Sequence, residues 1–293
     1  MTDLKTFFDF KKAKFEDLHN ILDDAKFCWT LPTSIFIDVD QLIASMKEAG
    51  LTTKKFEFSS VLLNLASYYR YFFWKHKIRT NITFFATERI ISEDEAIKSE
   101  MNMLTLIVKN IPGIYSIVSK MPAKLVPFAL YSKDKFENTI VASYGNFSYL
   151  YPFFMNAAPS YTLHLSGKYS SVINSITKEW QYDPITVLAL AGDPSKGIPN
   201  IRKFGMVRAE KFCLKNKDSN IEDLLKDNDL LQFKYNKSYY DVPSLIERYK
   251  DEFFTLETNP NLVDYYNKEE VKAIQREYYS VYSFHIPHLF LGE

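Results

Sequence analysis

Between Leu188 and Phe212 the chain reads LALAGDPSKGIPNIRKFGMVRAEKF: an apolar helical run to Ala191, a turn carrying Gly192 and Gly197, and a second helix from about Lys203. Glycine takes backbone conformations closed to other residues, and at Gly197 it lets the main chain approach a ligand closely. Loop N–H groups presented at a helix N-terminus suit phosphate. Lys196, Arg202, Lys203, Arg208 and Lys211 surround the loop with positive charge. Such a patch grips a nucleic-acid backbone without reading bases. The candidate contacts are Gly192, Lys196, Gly197, Ile198, Asn200, Arg202, Lys203, Gly205 and Arg208. A plain structural turn between two helices is the competing reading.

A second stretch with chemical potential is SYYRYFFWKHK, residues 67–77, which interleaves aromatics with Arg70, Lys75 and Lys77. It reads either as a stacking platform for single-stranded nucleic acid or as a helix burying its aromatic face. Other chemistries lack their residues. The two cysteines, Cys28 and Cys213, form no CxxC or Cys/His pattern, and His285 and His288 flank a helix-breaking Ile286-Pro287. No GxSxG, GxxxxGK[ST] or HExxH run is present.

The elements that must position these residues come from pattern. With 293 residues, 24 Phe, 20 Tyr, 8 Gly and zero formal charge, the chain reads as packed and globular, and any electrostatic contact must be a local patch. Residues 5–28 have helical apolar spacing. SIFIDVDQLIASM, 34–46, reads as a buried strand passing into a helix. Residues 59–76 predict a helix capped by serine, 78–87 a strand, and 92–100 a charged turn preceding a helix up to Lys109 that Pro112-Gly113 breaks. A further helix is expected over roughly 114–132, then strands at IVAS and YTLHLSG. Strand–helix–strand spacing of this kind implies parallel strands. From Ser170 onward the pattern is mainly helical, with an Asp-Pro helix start at 183–184 and three amphipathic candidates after 221.

GDPSKGIPNIRKFGMVRAEKF resembles the helix-three-turn-helix element of the flap endonuclease and 5′-exonuclease family, keeping Gly192, Asp193, Ile198-Pro199, Gly205 and Ala209 with a shortened second turn. Upstream, the pattern opened by IFIDVD resembles that family's PIN-like domain. The resemblance implies an α/β fold with a central, mainly parallel sheet, then the helix-three-turn-helix element, then a helical C-terminal region. The corresponding divisions are 1–30, 31–168, 169–220 and 221–293. It also implies carboxylates at strand ends holding two divalent ions, Mg²⁺ or Mn²⁺, for phosphodiester hydrolysis, and a monovalent cation at the 192–201 loop. The metal candidates are Asp38, Asp40, Glu88 and Asp193.

The middle acids of the family's pattern are replaced. Thr87 and Glu88 follow the second strand, Ala123 and Lys124 stand where an acidic cluster is expected, and Tyr144, Gly145, Asn146 and Ser148 stand where two aspartates are expected. The expectation is therefore a catalytically degenerate protein that binds nucleic-acid backbone, DNA rather than RNA, or serves in a phage replication, transcription or virion assembly with residues 221–293 as a protein-binding region. An active metal-dependent 5′-nuclease and a protein-interaction module without nucleic acid are the alternatives. Asp38 and Asp40 can equally be a helix N-cap and a solvated acid, and Glu88, Glu93, Asp94 and Glu95 a solvated turn. No signal peptide or long uncharged apolar run is visible, which leads to the expectation of a cytoplasmic protein without a membrane partner.

Overall fold

The structure, a computed structural model, describes residues 15–120, 126–127, 137–143, 160–164, 171–174, 184–191, 205–216, 232–235 and 238–241. In chain order its first elements are helix α1 (Phe15–Asp24), strand β1 (Thr33–Asp38), and helices α2 (Val39–Glu48) and α3 (Glu57–Lys75). Then come β2 (Thr80–Thr87), α4 (Glu88–Ser92), α5 (Glu95–Val108), β3 (Ile114–Ser119), β4 (Asn138–Ser143), β5 (Ser160–His164) and β6 (Ser171–Asn174). Helices α6 (Pro184–Ala191) and α7 (Met206–Lys215) follow, and then strands β7 (Gln232–Tyr235) and β8 (Ser238–Asp241).

Strands β1 to β6 form a sheet in the order β3-β2-β1-β4-β5-β6. Its first five members are parallel, and β6 is antiparallel to β5. The runs that build it are rich in β-branched and aromatic residues because both faces are buried. Ile35, Ile37, Ile82, Phe84, Ile140 and Ala142 join one continuous core with residues of α1, α2, α3 and α5. Phe36, Phe85, Tyr115 and Val141, on alternate positions, are buried as well. The α/β architecture with a central, mainly parallel sheet is the one expected from the strand–helix spacing.

Several local expectations change. Residues 114–119 are a strand, not the start of a helix. Ile114, Ile117 and Val118 favour extended backbone. Gly113 holds the turn before them at φ +77, where an added Cβ would sit 3.3 Å from the Asn81 amide oxygen. After Ser170 the chain adds β6 before any helix, and the region expected to be helical beyond 221 contains the hairpin β7-β8. The remainder of that region, including its three amphipathic candidates, lies outside the described residues.

Helix α3 begins two residues before the serine expected to cap it. Its cap position is Phe56 in left-handed backbone, φ 67, with no capping side chain of its own. Instead the buried carboxylate of Glu100, from α5, accepts from the N–H groups of Phe56 and Ser59 and from the Ser59 hydroxyl, the last at 2.6 Å. A carboxylate at a helix N-terminus satisfies otherwise unpaired donors and complements the helix dipole. Helix α5 is capped locally, by Asp94 accepting from Ala96 and Ile97 at 2.9 and 3.3 Å.

At the other end of α3 the chain leaves the helix through Lys77, φ 59, and starts β2. Here α1 packs against α3 through rings. His19 stacks on His76 at 4.8 Å between centroids, and Trp29 lies 4.7 Å from His76 and 4.5 Å from His19. Asp23 accepts from the Trp29 indole N–H and lies 3.2 Å from His19 Nε2. The loop after α1 is tied to the sheet by Asn138, whose Nδ2 donates to the Cys28 carbonyl at 2.8 Å. Tyr161 OH adds two ties, accepting from Cys28 N–H and donating to the Lys26 carbonyl, each at 3.2 Å. Burial pushes the Tyr161 phenol up to about 12.

Burial, and then the neighbouring His19 charge, hold His76 below its ordinary 6.5, with Lys75 lowering it further and Asp23 opposing. The folded state thus binds a proton here less readily than the unfolded chain. Stability contributed by neutral His76 is present above the unfolded value and is lost as pH falls below it. Thermal melts of wild type and His76→Gln, followed by circular dichroism from about pH 7 down to about pH 5.5, are expected to show a steeper loss in wild type. Parallel curves would contradict the assignment.

Candidate functional site

The chain order β1-β2-β3 runs one way across the sheet from β1, and β4-β5 runs the other. In open parallel sheets the crevice outside the carboxyl ends of the strands, where this reversal occurs, is the usual ligand position. It lies between β1 and β4. The register brings Asp38 of β1 level with Phe85 of β2, and Ile37 level with Ala142 of β4. Thr87, Ser143 and Ser119 therefore end their strands at the same edge, as does His164, the register partner of Ser143.

Asp38 is 0% exposed and Asp40 is 4% exposed. A buried carboxylate must be compensated by donors or charge, and the printed geometry shows donors for both. Asp38 is the N-cap of α2: its Oδ1 accepts from Gln41 N–H at 3.1 Å, and its Oδ2 accepts from the Ser143 hydroxyl at 3.2 Å. Asp40 sits in the first turn of α2, near the helix's positive end. Its Oδ1 accepts from Thr87 N–H at 2.9 Å and its Oδ2 from the Thr87 hydroxyl at 2.5 Å. Thus Asp38 joins β1 to β4, and Asp40 joins α2 to β2.

The expected N-cap role of Asp38 is present, while Asp40 is buried and hydrogen-bonded, not a solvated acid. Glu88 follows Thr87 at the start of α4 and is exposed. Glu93 pairs with Lys47 at 2.8 Å, and that hydrogen bond, with the lysine charge, holds its carboxyl below the usual range. Asp94 is spent on capping α5. Among the described residues no group of three or more His, Cys, Asp or Glu is placed to hold a metal ion.

Sequence reasoning passed over Thr87 and Ser143 as partners of the aspartates. A signal was there: TFFAT and TIVAS, like IFID, are apolar runs that stop on a polar residue. Ala123, Lys124, Tyr144, Gly145, Asn146 and Ser148 lie outside the described residues.

Of the basic element, α6 and α7 are described and pack on each other. α6 starts at Pro184, where the missing N–H costs nothing, and ends at Ala191 as expected. α7 starts at Met206, with Gly205 as N-cap, about three residues later than expected. Ala209 and Cys213 are buried, and Arg208 and Lys211 are exposed. Gly192, Asp193, Lys196, Gly197, Ile198, Asn200, Arg202 and Lys203 lie outside the described residues.

In the rings of residues 67–77 the helix buries one aromatic face, as one of the two readings expects. Tyr69, Phe72 and Phe73 are fully buried, while Tyr71 and Trp74 face outward. Among the described residues no helix is long and apolar enough to cross a membrane.

No protein-family description matches the chain, and no curated protein matches it. Among solved structures, the chain is similar to one described as the crystal structure of T5 D15 protein co-crystallized with metal ions, at a TM-score of 0.45 and 11% identity. That similarity spans 85% of this chain and 99% of the other. It is too distant to bear on function.

Proposed function

We propose that the chain is a PIN-like, flap-endonuclease-like protein whose strand-end acids serve the fold, and that it binds nucleic-acid backbone through the basic turn at 192–205 without cutting it. The observation that supports this most directly is the pair of buried links Asp38–Ser143 and Asp40–Thr87. Each aspartate is engaged by a hydroxyl donor from a neighbouring strand at the carboxyl edge of the sheet. The basic turn, with Lys196 and Lys203, supplies the contact for phosphate. DNA is the expected partner, in a setting such as phage replication, transcription or virion assembly.

Two measurements test the two halves. Incubation of a labelled flap or nicked duplex with Mg²⁺ or Mn²⁺ is expected to leave the strand intact. Robust cutting abolished by Asp38→Ala would overturn the non-cutting half and leave an active 5′-nuclease. For binding, Lys196→Glu with Lys203→Glu is expected to weaken duplex affinity and to lower the slope of log K against log salt by about 2, roughly one unit per lost phosphate contact. An unchanged slope would remove the nucleic-acid reading of the loop and leave a protein-interaction module.

A further inference from the structure

Helix α3 carries an aromatic face that the fold does not bury. Trp74 is 69% exposed and Tyr71 is 47% exposed, and their rings lie near-parallel, 5.9 Å apart with 23° between planes. Lys75 Nζ lies 4.9 Å from the Tyr71 ring centre. Arg70 and Lys77 are exposed beside them. From Phe58 to Thr87 the chain has no Asp or Glu but carries Arg70, Lys75, Lys77 and Arg79. Of the four acids on the neighbouring α1, Glu16 and Asp17 lie in its first turn, Asp23 is engaged with Trp29 and His19, and Asp24 closes the helix.

We infer that this face is a stacking site for single-stranded nucleic acid, with an unpaired base laid on Trp74 and the flanking phosphates held by Arg70, Lys75 and Lys77. The charge selects a polyanion. The flat, exposed rings select bases whose faces are open, as in a single strand and not inside a duplex. Stacking on a ring requires no sequence-specific hydrogen bond, so the site tolerates any base.

The site is separate from the strand-end edge. α3 ends just before β2 begins, at the amino ends of the strands, whereas Asp38 and Thr87 stand at the carboxyl ends. The eight residues of β2 put roughly 25 Å between the two ends. The inference therefore stands without the proposed role of the 192–205 turn.

The test uses the full chain and a fluorescein-labelled oligothymidine of about 15 nucleotides, followed by anisotropy, with intrinsic tryptophan quenching as a second signal. Trp74→Ala is expected to weaken binding about tenfold, Trp74→Phe to retain most of it, and Lys75→Glu to weaken it in a salt-dependent way. Affinity for a blunt duplex is expected to be unaffected by Trp74→Ala, whereas the Lys196→Glu, Lys203→Glu pair acts mainly on the duplex. Since Trp74 is exposed, a matching thermal melt separates binding from folding. Three results would overturn the site: no binding of the oligonucleotide by wild type, equal binding by Trp74→Ala, or an equal loss for single strand and duplex. The first would leave the face as a protein contact.

Discussion

Asp40→Ala is expected to lower the unfolding free energy by about 3 kcal/mol, and Asp40→Asn by only about 1 kcal/mol. Alanine removes the acceptor for both the Thr87 amide and the Thr87 hydroxyl, and leaves these buried donors without it. Each orphaned donor costs about 1–3 kcal/mol. Asparagine keeps one oxygen for the amide and offers an N–H₂ group that the hydroxyl can accept. Urea denaturation with an unchanged m-value measures the difference. A metal-ligand role makes the opposite demand, because a neutral amide is a poor substitute for a carboxylate toward a hard cation. If Asn and Ala variants were equally stable and Mg²⁺ raised the melting temperature of wild type alone, the carboxylate would be a ligand, and its bond to Thr87 secondary.

Glu100→Ala is expected to be at least as damaging, at about 3–4 kcal/mol. An ordinary N-cap loss costs about 1 kcal/mol. Glu100 does more than an ordinary cap, since it is buried and ionisable and serves three donors on the first turn of α3. That helix supplies Leu62, Leu65, Tyr69, Phe72 and Phe73 to the core, so a frayed first turn loosens the packing that holds β2. Glu100→Gln keeps the acceptor geometry at one oxygen and is expected to recover about half of the loss. The midpoint of urea unfolding reads both variants. A Glu100→Ala midpoint within error of wild type would mean that solvent or another side chain caps the helix.

The elements that local pattern predicts are those whose determinants lie within a few residues. β1 is legible because Ile35, Phe36 and Ile37 are bounded by a cap aspartate, and α6 because Pro184 follows Asp183. The start of α5 falls inside the run that reads as a charged turn, because a cap aspartate such as Asp94, two and three residues before the amides it serves, looks like any other solvated acid in that run. The strand at Ile114–Ser119 reads locally as the start of a helix because a short apolar run has no period long enough to separate the two. β6, β7 and β8 each have four residues, and strands that short exist through their pairing more than through propensity.

The candidate site divides the same way. The aspartates after IFI, the basic turn and the ring-rich helix are all properties of the amino-acid order alone: their types, spacing and charge can be read without coordinates. Which face of α3 stays outside depended on where the sheet lay, and only then did Trp74 separate from Phe72 and Phe73. That Asp38 meets Ser143, 105 residues away, and Asp40 meets Thr87, 47 residues away, was decided by strand order and register. A buried carboxylate takes the donors that the neighbouring strands bring level with it, and no local window of sequence contains those donors.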